Sequence, residues 1–224
     1  MLTASADTLC SLSVLSLHVG QVQCFGPQGQ PSAIDKQAVS DLRHVTVLGL
    51  AGDAQADLKN HGGRDKALHH YPREHYAPWR VELPQCNGRF VPGGFGENLS
   101  TRGITEATVC LGDVFSLGSA VIQISQGRSP CWKLNARFGV DDMSQRVRDT
   151  GRTGWYYRVL QEGDVAAGEP MTLMQRRWPK WTVERLWRVL NQVPADRAAL
   201  EELARLEVLA ASWRERAHKR LLAG

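Results

Sequence analysis

The chain has 224 residues, 42% hydrophobic and 22% charged, with a formal net charge of +4. That composition can bury a core, and the length suits one large domain or a medium domain with an appendage. No apolar run approaches the roughly 20 residues that cross a bilayer. No Lys or Arg leads the uncharged stretch 8–34 as a signal peptide requires, so a cytoplasmic protein is expected.

Up to about Met174 the sequence has the texture of a β protein. HVTVLGL (44–50), KALHHY (66–71), ENLST (97–101), DVFSLG (113–118), AVIQISQ (120–126), WYYRVL (155–160) and MTLMQ (171–175) each predict a strand. Glycine and proline punctuate them, and all but one of the 21 glycines lie at or before Gly168. A helix is predicted over 72–83, with Pro72 in its first turn, and another over 141–150, opened by acids and closed by Gly151. Many short strands with few long helices predict a mainly β fold, a closed β-barrel whose closure removes exposed edges.

After Trp178-Pro179 the texture becomes helical. Val183, Leu186, Trp187 and Leu190 fall at i, i+3, i+4, i+7, and Pro194 ends that helix. A second helix is predicted over 199–209, and Ser212 with Glu215 forms a capping-box pattern for a third. The chain thus divides into a barrel domain, 1–176, and a three-helix domain, 177–224. The apolar helix face is expected to pack on the barrel or on a second subunit of a homodimer. A chain cut near Arg177 is therefore expected to keep the site but lose solubility or assembly. From Arg176 onward 11 Lys and Arg stand against 6 Asp and Glu, leaving 16 against 17 before it. The basic residues alternate with Glu at helical spacing, which predicts a solvated face and no nucleic-acid partner.

Cys10, Cys24, Cys86, Cys110 and Cys131 are scattered, with no C-x-x-C pair for zinc, an iron–sulfur cluster or a dithiol. Phosphate-binding P-loop, dinucleotide and H-E-x-x-H signatures are absent as well. Three other stretches carry chemistry. In SQGRSPCWKLN (125–135), Cys131 lies between Arg128 and Lys133 in a turn stiffened by Pro130, an environment that favours a thiolate over an inert buried thiol. Such a thiolate is a nucleophile or a ligand for a soft or high-valent metal. A nucleophile would want a histidine base, and His61, His69, His70 and His75 all sit in one distant stretch. That stretch, KNHGGRDKALHHYPREHY (59–76), places Gly62 and Gly63 among Lys59, Arg64 and Lys66, a loop suited to an anionic group, phosphate above all, or a simple hairpin. In GGFGENLST (93–101), Glu97 and Asn98 either read the edge of a heterocycle or decorate a turn. Trp132, Trp155 and Tyr71 are candidates to stack on a base or to fill the core.

Taken in order, His61-Gly62-Gly63, Tyr71-Pro72, Gly94 to Leu99, Gly112-Asp113-Val114-Phe115 and Gln126 to Cys131 resemble the MOSC domain family. GLAGDAQAD (49–57) fits the same pattern, and the three-helix tail resembles the stand-alone YiiM type. The resemblance implies a MOSC β-barrel that binds molybdenum cofactor (Mo-molybdopterin), with Cys131 as metal ligand and catalytic residue. It places His61, Gly62, Gly63, Arg64, Glu97, Asn98, Gln126, Arg128, Ser129 and Lys133 in the cofactor-binding set. By residue chemistry the cationic loop suits the cofactor's phosphate, and Glu97 and Asn98 its pterin edge. The implied activity is reduction of N-hydroxylated compounds, such as N-hydroxylated purine bases, in detoxification. An external flavin-type reductase would supply the electrons. A molybdenum cofactor carrier or sulfur-transfer module without turnover is the alternative.

Overall fold

The computed structural model describes residues 11–56 and 62–223, so Cys10, Lys59 and His61 lie outside it. All seven predicted strand segments form strands. The main sheet has nine strands, in the order Leu12–Ser13, Pro170–Gln175, Val114–Leu117, Ala120–Gly127, Trp155–Gln161, Leu68–His70, Leu99–Ser100, Ser16–Gly20 and Lys36–Val39. Leu68–His70 and Leu99–Ser100 run parallel, and every other pairing in the sheet is antiparallel. The first and last strands do not pair, so the sheet is an open half-barrel and the expected closed barrel is corrected. Its edges are managed in another way. Leu12–Ser13 is only two residues long, and Lys36 on the opposite edge turns its side chain inward. Smaller sheets of Gly163–Val165, Arg43–Thr46 and Gly49–Leu50, and of Gln23–Phe25 with Gln30–Ser32, complete the β part.

The predicted helix over 72–83 forms as a 3₁₀ turn, Arg73–His75, followed by the α-helix Tyr76–Glu82. The one over 141–150 is Met143–Thr150, ended by Gly151 at φ 69°. A short helix, Lys133–Phe138, follows Cys131 directly and escaped the sequence reading. Among the described residues no helix is long and apolar enough to cross a membrane.

The central strand Ala120–Gly127 shows how the tail joins the body. Burial alternates from Ala120 to Ile124 and then becomes continuous through Gly127. The second face of the strand is covered there by the tail: Ala210 N donates to Ser125 O at 3.0 Å, and a Cβ on Gly127 would lie 2.8 Å from the Trp213 ring. The tail helices are Val183–Asn191, Arg197–Arg205 and Ala211–Ala223. The first two are capped by Thr182, accepting from Arg185 N, and Asp196, accepting from Ala199 N. The third begins at Ala211, so Ser212 lies inside its first turn, and Glu215 pairs with Lys219 at 2.8 Å instead of closing a capping box. Leu186, Trp187 and Leu190 bury in one cluster with Leu111 of the sheet body, Leu200, Leu203 and Trp213. The apolar face finds its partner within the same chain. The tail's cations are largely engaged too, with Arg176 on Asp113, Lys180 on Glu202 and Arg220 on the carbonyls of Val189 and Gln192.

Buried histidines make stability depend on acid, His70 and His18 among them. His70 sits between Tyr157 Oη (3.1 Å) and Thr101 Oγ1 (3.0 Å) and stacks on Trp155. Burial lowers its pKa to about 3, and burial with the nearby Lys36 lowers that of His18 to about 4. The unfolded chain binds these protons near pH 6.5 and the folded chain does not, so stability is full above pH 6.5 and falls as pH drops toward 4. By pH 5 the two sites together are expected to cost on the order of 3–4 kcal/mol. Buried Glu97 and Asp113, whose carboxyl pKa values burial raises, act in the opposite direction. The histidine share is therefore read as the difference between wild type and His70→Gln in urea midpoint at pH 7 and pH 5. An equal drop in both proteins would show that His70 is not held neutral.

Candidate functional site

One cleft of about 610 Å³, open to solvent, brings the distant stretches together. Cys131 lines it, half-buried, at the turn between Ala120–Gly127 and Lys133–Phe138. Main-chain contacts fix that turn. Leu134 N donates to Cys131 O at 3.0 Å, Arg148 Nη2 to Pro130 O at 3.0 Å, and Arg128 N to Gly154 O at 3.1 Å. Arg128, Lys133, Lys36 and Lys66 share the wall, so among the described residues four cations face one carboxylate, Asp53. The cleft is built for an anion.

The described part of the cationic loop contributes one residue to the wall. Gly62, Gly63 and Arg64 lead into the 3₁₀ turn Arg64–Lys66, yet of that stretch Lys66 lines the cleft and Arg64 faces solvent. The turn is anchored where Ser125 Oγ donates to Asp65 O (2.6 Å) and Arg158 Nη2 pairs with Asp65 (2.7 Å). His61 lies outside the described residues.

Glu97 is put to a different use from the pterin-edge role expected of it. It is fully buried behind the cleft wall, where Oε1 accepts from Gly93 N at 2.7 Å, Oε2 accepts from Phe95 N at 3.0 Å, and the Tyr76 hydroxyl donates to it. Gly93 (φ 86°) and Gly96 (φ 76°) turn the chain so that these amides converge, and the carboxylate collects them. Asn98 does line the cleft, but much of its amide is committed: Oδ1 accepts from His69 N (3.0 Å), and Nδ2 donates to His18 O (3.1 Å) and Asp53 Oδ2 (2.7 Å). Gln126 is buried, with Nε2 donating to Gly127 O at 3.2 Å, and Ser129 faces solvent; neither lines the cleft.

Among the wall residues missing from the predicted set are Lys36, Asp53, His69 and Tyr156. Lys36 Nζ binds Asp53 Oδ1, which also accepts from Gly20 N at 2.7 Å. The Tyr156 ring lies 5.0 Å from that of His69, and its hydroxyl meets Arg128. Burial, reinforced by Arg128, holds the His69 imidazole neutral, while burial pushes the Tyr156 hydroxyl pKa up. Two buried polar atoms on wall residues, Arg128 Nη1 and His69 Nε2, have no hydrogen-bond partner among the described residues. Tyr71 and Trp155 are fully buried and belong to the core, leaving Trp132, beside Cys131 and 42% exposed, as the aromatic open to solvent.

The "MOSC domain" family model matches residues 57–172, and the "YiiM-like, 3-alpha helix domain" model matches 181–224. Protein YiiM of Escherichia coli (strain K12) is 43% identical over 94% of this chain and 93% of its own length. The crystal structure of YiiM from Escherichia coli superposes with a TM-score of 0.80 at 37% identity, covering 95% of this chain and 94% of that one. A protein of Gibberella moniliformis named "Reductase" is 36% identical over 80% of this chain, which spans only 32% of that longer protein. On this sequence and fold evidence, the chain belongs to the MOSC family of molybdenum-cofactor domain proteins, in its YiiM-like branch with a C-terminal three-helix domain.

Proposed function

We propose that this protein is a molybdenum cofactor-dependent reductase of N-hydroxylated compounds, such as N-hydroxylated purine bases, with a detoxifying role. The observation that carries the reading is the half-buried Cys131 thiol in the wall of a cleft otherwise dominated by cations. Among the described residues no three His, Cys, Asp or Glu side chains are grouped to hold a bare ion, so a metal at Cys131 must arrive with ligands of its own. Molybdenum cofactor brings dithiolene sulfurs and an anionic phosphate. Cys131 supplies one further thiolate, and Lys66, Lys133 and Arg128 offer positive charge to the phosphate. The unpartnered Arg128 Nη1 is a donor that such a ligand would satisfy.

When bound, the cofactor supplies the two-electron redox chemistry. The protein's part is to seat substrate and protons. Tyr156 and Arg128 together brace the cleft beside Cys131, and the neutral His69 adds no charge against an electron-rich ligand. The net reaction consumes two electrons and two protons and releases the hydroxylamine oxygen as water. The electrons come from an external flavin-type reductase, and the reading takes both proteins to be cytoplasmic. The name of the fungal relative supports a reductase over a passive carrier.

The test is metal and pterin analysis of protein from a cofactor-competent host, followed by turnover of 6-hydroxylaminopurine with reduced viologen as donor. Stoichiometric molybdenum and production of the amine are expected. Loaded protein that reduces no N-hydroxylated base would favour the carrier or sulfur-transfer reading. Protein that acquires neither metal nor pterin would end both.

A further inference from the structure

Lys36 opens the outermost strand of the sheet, yet its side chain is only 8% exposed. An inward lysine on an edge strand does blunt unwanted strand pairing. That role does not require what is found at its tip. The ammonium ends in the wall that Cys131 also lines, bound to an Asp53 carboxylate that is 4% exposed. Asp53 is itself fixed by Gly20 N (2.7 Å) and Asn98 Nδ2 (2.7 Å), and Asn98 by the main chain of His69 and His18. The stem is fixed as well: a Cβ on Gly20 would lie 2.3 Å from Ala33 O and 3.1 Å from Lys36 Cγ. Burying an ion pair carries a desolvation penalty that its partners must offset, and a chain that only needed a blunt edge has simpler means.

We propose that Lys36 is the general acid of this cleft, delivering the proton that turns the departing hydroxyl oxygen of an N-hydroxylated heteroaromatic amine into water. The assignment rests on the reductase reading above. The N–O bond breaks and two electrons enter, drawn from the flavin-type reductase or from reduced viologen. One proton passes from Lys36 Nζ to the oxygen, which leaves as water, a second passes from solvent to the nitrogen, and the Lys36 amine is reprotonated by solvent. The groups facing Lys36 are Asp53 from the loop after Leu50, Glu97 from behind the glycine turn, His18 from the neighbouring strand and His69 from Leu68–His70. His18 and His69 are held neutral, and Tyr156 holds its proton. Burial pulls the Lys36 ammonium pKa down, with Asp53 opposing, which moves this donor toward the working range of an acid catalyst.

Lys36→Arg and Lys36→Met separate charge from proton transfer. Molybdenum content, thermal midpoint and the Kd for 6-hydroxylaminopurine without reductant are measured beside kcat and KM with reduced viologen from pH 6 to 9. Lys36→Arg keeps the charge and the Asp53 partner, so metal content and Kd are expected within about twofold of wild type and the thermal midpoint close to it, while kcat falls about 100-fold. The basic limb of the wild-type kcat profile is expected to vanish in Lys36→Met. Wild-type kcat in Lys36→Arg would show that only the charge matters and overturn the assignment. Loss of molybdenum in parallel with activity would make Lys36 a cofactor holder and overturn it equally. A wild-type protein that holds metal but reduces nothing would overturn both this assignment and the reductase reading.

Discussion

Replacing Cys131 with serine is expected to leave the fold intact and strip the protein of molybdenum. The turn that presents residue 131 is held by the main-chain contacts of Cys131, Pro130 and Arg128, all of which a serine preserves. The position is half-buried and not part of the apolar core, so the change in stability should stay within about 1 kcal/mol. Ligation is a different matter. A thiolate is a soft ligand available near neutral pH, whereas a serine hydroxyl keeps its proton and binds a soft centre poorly. Elemental analysis of Cys131→Ser should therefore show molybdenum near background, with the thermal midpoint close to that of wild type. Cys24→Ser, at an exposed strand position, is the control and should retain wild-type metal. Cys86→Ser should retain metal as well, at some cost in stability because Cys86 is buried with Sγ 3.3 Å from Phe138 O. Full occupancy in Cys131→Ser would remove the ligand assignment and the functional reading built on it.

Parts of this site that depend on local chemistry were legible in the sequence, and parts assembled from distant segments were not. Cys131 announced itself because its cations and its proline are within three residues. Lys36 and Asp53 are 17 residues apart and meet through the pairing of Lys36–Val39 with Ser16–Gly20, which no local pattern specifies. Openness of the sheet was hidden for the same reason, since closure is decided between strands at opposite ends of the order. Glu97 was misjudged because a glycine turn reads alike whether its carboxylate faces the ligand or the turn's own amides. The signal was there: two glycines in left-handed backbone leave converging N–H groups that need an acceptor. His69 was also recoverable. In the strand Leu68–His70 neighbouring side chains point to opposite faces, so one histidine of the pair had to differ in surroundings from the other. His69 reaches the cleft, and His70 packs among Trp155, Tyr157 and Thr101.

A chain ending at Arg177 is expected to lose the cleft together with its solubility, which reverses the expectation drawn from motif positions alone. Every motif residue precedes the tail, but the strand that presents Cys131 does not stand without it. Trp213 lies against Gly127, one residue before Arg128, and Ala210 N bonds Ser125 O. Leu111 N donates to Trp181 O at 2.8 Å and Val183 N to Val109 O at 3.0 Å, so the tail continues the sheet body's own hydrogen bonding. Trp187 Nε1 donates to the carbonyl of Arg148, the residue that anchors Pro130. Removing the tail uncovers Leu111 and the outer face of Ala120–Gly127, and each fully buried large side chain is worth about 1.5–3 kcal/mol. Four or five such losses equal the entire stability of a typical domain, about 5–15 kcal/mol. The truncated protein should therefore aggregate, or persist with lost near-ultraviolet circular dichroism and no molybdenum. Trp213→Ala in the full chain gives a milder version, with an expected cost of about 3–5 kcal/mol and looser metal retention where the ring no longer backs Gly127. A truncated protein that stays soluble, keeps its near-ultraviolet spectrum and holds molybdenum at the wild-type level would show that the body builds the cleft by itself.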